Sequence, residues 1–185
     1  MRVRVSAISA AGLVLLLSAC GTSDDSAAAA DAPSAESSVA TAPPNPAEPG
    51  RCHTADLTVT IAPATGGGAA GHHGERLTFT NASAMPCTLE GFPGVSFVTG
   101  DDSTQVGADF KREGDTAAKL TLNPGDSAAT DLLLADTGAA GCEPTETRGF
   151  RIFPPDETAA IFVSSPQQAC KEADKGVGTV KPLAV

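Results

Sequence analysis

Apolar and polar residues alternate with a period of two at many points along the chain. Leu57, Val59 and Ile61 alternate with Thr58 and Thr60, and Leu77 and Phe79 with Thr78 and Thr80. Val95 and Phe97, Leu120 and Leu122, Leu132 and Leu134, Phe150 and Ile152, and Ile161 and Val163 repeat the spacing. Side chains two apart on a strand point to the same face, so each run predicts a short strand with one face buried. Turn formers separate the runs: Gly66-Gly67-Gly68, Pro93-Gly94, Asn123-Pro124-Gly125 and Pro154-Pro155. Proline fixes φ and glycine permits positive φ, so each cluster bends the chain. No segment carries an apolar stripe over three helical turns. Seven or more short strands with regular turns predict an all-β, immunoglobulin-like antiparallel β-sandwich over residues 51–185. The chain has no Trp to pack on a disulfide, so a true immunoglobulin domain is not indicated.

The first fifty residues follow a different pattern. Arg2 and Arg4 precede an apolar run from Ala7 to Leu17, which is too short to span a bilayer as a helix. The run ends in Leu17-Ser18-Ala19-Cys20, which looks like a bacterial lipobox. Charge, run length and box together predict a lipoprotein signal peptide over residues 1–19, with Cys20 as the lipidated first residue of the mature chain. No adjacent arginine pair is present, which argues for export in the unfolded state. Residues 20–50 are rich in Ala, Ser, Asp, Glu and Pro, and Val39 is their one bulky apolar residue. Such a segment buries too little surface to offset its ordering entropy, so it reads as a disordered tether. By coil scaling it would hold the domain on the order of 30 Å or more from the bilayer.

Charge narrows the partners. The formal net charge is −10 with twelve basic residues, none of them in a run. Nucleic acid is therefore an unsuitable partner, because phosphate binding needs clustered Lys and Arg. Anionic headgroups would not attract this chain either, so attachment to a membrane must come from the lipid on Cys20. Two acyl chains hold far better than one. Seven Phe with no Trp or Tyr lower the prospects for stacking on bases or sugars.

Setting Cys20 aside, Cys52, Cys87, Cys142 and Cys170 remain. An even number in an exported chain argues for two disulfides, and three pairings are possible. Cys52–Cys87 with Cys142–Cys170 is favoured, because each links sequence neighbours around strand pairs. No Cys-x-x-Cys pair exists to begin a structural zinc site.

These residues together resemble a known family. Leu77-Thr78-Phe79-Thr80-Asn81 and the run from Pro86 and Cys87 through Gly91-Phe92-Pro93-Gly94 to Phe97 look like the signature of domain of unknown function 4232. Leu122-Asn123-Pro124-Gly125-Asp126, Phe150-Arg151-Ile152-Phe153-Pro154-Pro155, Gly71-His72 and Ala169-Cys170 also fit. The resemblance covers nearly all of residues 51–185. It implies an exported actinobacterial domain, often a lipoprotein, and no activity or catalytic residues. Phe92 stands where the family often has Tyr.

Candidate chemistry is sparse. His72-His73-Gly74-Glu75 reads as a loop in which His72, His73 and Glu75 could ligate zinc or copper, with His53 as a distant third. Adjacent residues rarely point the same way, and the bland reading is a solvated loop end. Gly66-Gly67-Gly68-Ala69-Ala70-Gly71 formally matches G-x-G-x-x-G, but a strand signal follows it where dinucleotide binding needs a helix. No G-x-S-x-G elbow is present. Ser96 falls in an apparent strand, and Asp101-Asp102 reads as a solvated turn. Asn81-Ala82-Ser83 matches a glycosylation sequon that is incidental in a bacterial lipoprotein.

The expected function is a non-catalytic binding or structural module, with no cofactor. It would be lipid-anchored on the extracytoplasmic face of the cell membrane. Loops 66–74 and 99–106, at one sandwich end, would meet an unidentified envelope protein. The alternatives are metal or small-ligand capture through His72, His73 and Glu75, and an extracellular hydrolase.

Overall fold

A computed structural model describes residues 48–66, 68, 71–115 and 118–185. The expected signal peptide, the lipidated Cys20 and most of the tether lie outside the described residues. Every strand expected from the alternation is present: β1 (Leu57–Pro63), β2 (His72–Asn81), β4 (Gly94–Thr99), β7 (Leu120–Leu122), β8 (Ser127–Ala135), β10 (Gly149–Phe153) and β11 (Ile161–Ser164). Six more are β3 (Cys87–Leu89), β5 (Thr104–Val106), β6 (Lys111–Arg112), β9 (Pro144–Glu146), β12 (Gln168–Cys170) and β13 (Gly178–Val180). Each of these six has at most three residues, too few to display a period in sequence.

The strands form a five-stranded sheet in the order β1-β2-β8-β13-β6 and a four-stranded sheet in the order β11-β10-β4-β5. Two small ladders, β12-β9 and β3-β7, complete the described pairing. The ladders are antiparallel, as expected, with one exception: β6 runs parallel to β13, pairing Lys111 with Thr179 and Arg112 with Val180. The chain reaches β6 by a connection from the other sheet, so no hairpin turn forces it to reverse.

The two sheets share one core. Leu77, Phe79, Leu132, Leu134 and Val180 pack from the five-stranded sheet against Val95, Phe97, Phe150 and Ile152 from the four-stranded one. Phe97 sits 4.9 Å from Phe150 and 5.1 Å from Phe110, ring centroid to ring centroid. Each buried ring of this kind stabilises the fold by roughly 1.5–3 kcal/mol through area removed from water. Gly178 lies directly under the Phe110 ring, where any β-carbon would overlap it. Gly149, at φ 152°, meets the Val163 carbonyl in the same way, so both positions need a bare backbone.

Both favoured disulfides are present. Cys52 joins Cys87 with Cα atoms 4.8 Å apart, and Cys142 joins Cys170 at 5.4 Å. The first fastens the start of the domain to β3, and the second fastens the segment before β9 to the end of β12. The closed loops span 35 and 28 residues, and in the chain-entropy picture such loops stabilise by roughly 3–4 kcal/mol each. Pairing begins at Gly50, whose carbonyl accepts from Thr88 N at 2.8 Å. It runs to Ala184, which pairs with Ala129.

Candidate functional site

The expected His72–Gly74 loop is strand. β2 continues through Glu75, Gly74 and His73 to His72, in register with Leu132 through Ala135 of β8. Polar residues and a glycine conceal the period here, while the ladder to β8 holds the backbone extended. The consequence follows from the pleat. His72 shares the outer face with Arg76, whereas His73 and Glu75 share the inner face with Leu77 and Phe79. The two imidazoles therefore diverge. The expected loop 99–106 likewise shortens to the turn 100–103, because residues 104–106 pair with β4 as β5.

His73 and Glu75 lie where the inner face opens at the end of the sandwich. They line a cleft of about 410 Å³ with Asp136, Thr137, Ser165 and Gln167. Gln167 organises it. Its backbone N–H and carbonyl bond to the Thr147 hydroxyl at 3.3 and 2.9 Å, and Thr147 is 4% exposed. Its side-chain amide donates to Glu75 Oε1 at 3.2 Å. That orientation turns the Gln167 amide oxygen, Oε1, toward His73 Nε2, 3.0 Å away, and an amide oxygen only accepts, so Nε2 donates. The other ring nitrogen, Nδ1, faces Asp136 Oδ1 at 3.7 Å. Residues from β2, the end of β8 and the β11–β12 connection thus meet in a polar mouth. Among the described residues, no group of three His, Cys, Asp or Glu side chains is placed to hold a metal ion.

His53 does not join this cluster. It lies at the opposite end of the β1–β2 hairpin, about 25 Å away by strand rise. There its Nδ1 is 3.1 Å from Glu157 Oε1. Glu157 also accepts from Thr54 N and the Thr54 hydroxyl, each at 3.0 Å, and faces Arg51 at 3.2 Å. The backbone N–H of Thr54, the Thr54 hydroxyl and His53 together hold the Glu157 carboxyl below its ordinary range. This hub fastens the domain's first residues to the turn after β10, and no sequence spacing announces it.

The remaining motifs take structural places. The glycine run joins β1 to β2, and a strand follows it. Asp101 and Asp102 form the β4–β5 turn. Asp102 accepts from the Thr104 hydroxyl at 2.8 Å and is lowered in pKa chiefly by that bond, while Asp101 faces Arg148 Nη1 at 3.1 Å. Ser96 is 2% exposed within β4. Asn81 is fully buried. Its amide donates to the carbonyls of Met85 and Leu122 at 2.8 and 3.0 Å, and its oxygen accepts from Ser83 N and Oγ at 3.0 and 2.8 Å. All of its bonding capacity is spent inside the protein, which closes the sequon to a glycan. Sequence reasoning missed Gln167 and Asp136, which stand far from His73 along the chain and carry no motif.

The family model described as Domain of unknown function (DUF4232) matches residues 52–184. No curated protein and no solved structure matches the chain.

Proposed function

Because the chain belongs to the family of domain of unknown function 4232, a description that assigns no activity, we propose a non-catalytic binding module, lipid-anchored on the outer face of the cell membrane. The observation that carries this reading is the joining of a lipobox at Cys20 to a domain closed by two disulfides. Disulfides form and persist in oxidising compartments, and a thiol following a small-residue box is an acceptor for lipid. The mouth residues support a binding role: His73, Glu75, Asp136 and Gln167 bring several hydrogen-bonding groups to one cleft.

Cross-linking on intact cells tests the reading. The expected result is one specific envelope protein captured by the wild-type chain. Recovery of no specific partner, with turnover of a substrate by the purified protein, would end it.

A second reading, capture of a small polar ligand, is favoured by the one cleft that His73, Glu75 and Asp136 line. Calorimetry with glutamate and with glucose as probes distinguishes it. Equal affinity for wild type and His73→Ala removes this site from consideration.

A further inference from the structure

We propose that a second, cationic groove, lined by the outer face of the four-stranded sheet and by β6 at the edge of the five-stranded sheet, receives an acidic, partly apolar peptide segment of a protein partner. This deepens the binding-module reading and rests on it, but it does not depend on the His73 mouth. The groove encloses about 560 Å³, more than the 410 Å³ of the mouth. Arg151, Lys111 and Arg112 line it, and the half-buried Phe153 ring supplies its accessible apolar surface.

The cations are available. Arg51, Arg76, Arg148 and Lys171 each face a carboxylate, whereas among the described residues Lys111, Arg112 and Arg151 face none within ion-pair distance. The one acid lining the groove, Asp109, accepts from Gln105 Nε2 at 3.0 Å. Gln105 in turn presents its oxygen to Arg151 Nη2. That chain of bonds fixes the guanidinium plane, which stacks 5.8 Å over the Phe153 ring. Arg151 Nε is buried and has no hydrogen-bond partner, an orphan donor in a guanidinium already held in place. A second cation, Arg112, stands 6.0 Å over the Phe92 ring. In a chain of net charge −10, three unpaired cations on one concave surface concentrate positive potential where the rest of the molecule is negative.

The pairing of charge with an apolar surface selects the occupant. A phosphate polymer would satisfy the cations and leave the Phe153 ring facing water. An extended peptide with alternating acidic and apolar side chains satisfies both, placing carboxylates on Arg151, Lys111 and Arg112 and apolar groups on Phe153.

The test uses the full chain in neutral detergent and a fluorescent hexapeptide of alternating glutamate and leucine. Anisotropy should report saturable binding that weakens on raising salt from 0.05 M to 0.5 M, values chosen to shrink the screening length about threefold. The double variant Lys111→Gln, Arg112→Gln should bind about tenfold more weakly, as loss of complementary charge at an interface does. Both positions are exposed, so this variant keeps its fold. Arg151→Gln should lose at least as much, with circular dichroism unchanged. Binding equal in wild type and the double variant would overturn the proposal. So would a lysine–leucine peptide binding as tightly, or tripolyphosphate binding in place of the peptide. Cell-surface cross-links that survive unchanged in the double variant would remove the groove while leaving the binding-module reading intact.

Discussion

The two sheets finish their outward faces differently. On the five-stranded sheet, charges and hydroxyls pair across strands. Arg76 grips Asp131 through two bonds, at 2.7 and 3.1 Å, and Thr80 meets Ser127 at 2.8 Å. On the four-stranded sheet, Arg151 lies opposite Ser96 and Phe162, neither of which can neutralise it. Phe162 remains 44% exposed. The same fold therefore offers one saturated face and one unsaturated face, and the cross-strand partner decides which is which. The position of an arginine on a strand says little until its neighbour across the ladder is known.

The severest break removes the core on which both faces rest. Phe97→Ala should destabilise by about 3–5 kcal/mol, read from urea unfolding, because a ring at the centre of the aromatic cluster leaves a cavity. A loss under 1 kcal/mol would show that the sheets do not depend on each other. Next, Cys52→Ser with Cys87→Ser should cost roughly 3–4 kcal/mol by the same measurement, through release of the unfolded chain. An unchanged midpoint would mean that the bridge does not constrain the unfolded ensemble. Asn81→Ala sharpens the comparison from the five-stranded side. It strips the amide donor from the buried Leu122 carbonyl and should cost about 1–3 kcal/mol. Asp131→Asn breaks the charge pair on the saturated face and should shift the midpoint only slightly, since both side chains are well exposed.

Acid should expose the same asymmetry. The bonds from Arg76 lower the Asp131 pKa, and the Thr54 N–H leads the groups that lower that of Glu157. A carboxyl depressed in the folded state contributes stability above its unfolded pKa, near 4, and loses it as pH falls through the folded value. Stability should therefore decline below about pH 4, and less steeply in Asp131→Asn. Identical acid profiles for wild type and variant would contradict the role of that pair.

Much of the sandwich was legible because its long strands obey the pleat. Leu57-Val59-Ile61 and Leu132-Leu134 state their buried face outright. The short strands were not, since Lys111–Arg112 is only two residues long and both are exposed. The site was half legible. His73 and Glu75 stood out as candidate ligands, yet their separation from His72 depends on the ladder to β8, which no local pattern records. Gln167 and Glu157 act across more than ninety residues of sequence, to Glu75 and Thr54 respectively. Asn81 illustrates the opposite error, a residue noticed for a surface motif whose work is to satisfy buried backbone. The cysteine pairing was readable by proximity in sequence.

Everything functional proposed for the chain depends on where it is held. Mass spectrometry of the mature amino-terminal peptide from isolated membranes tests that most directly. The expected result is a chain beginning at Cys20 with its thiol carrying diacylglycerol. A mature terminus at another residue, or an unmodified Cys20 on protein recovered from the medium, would contradict it.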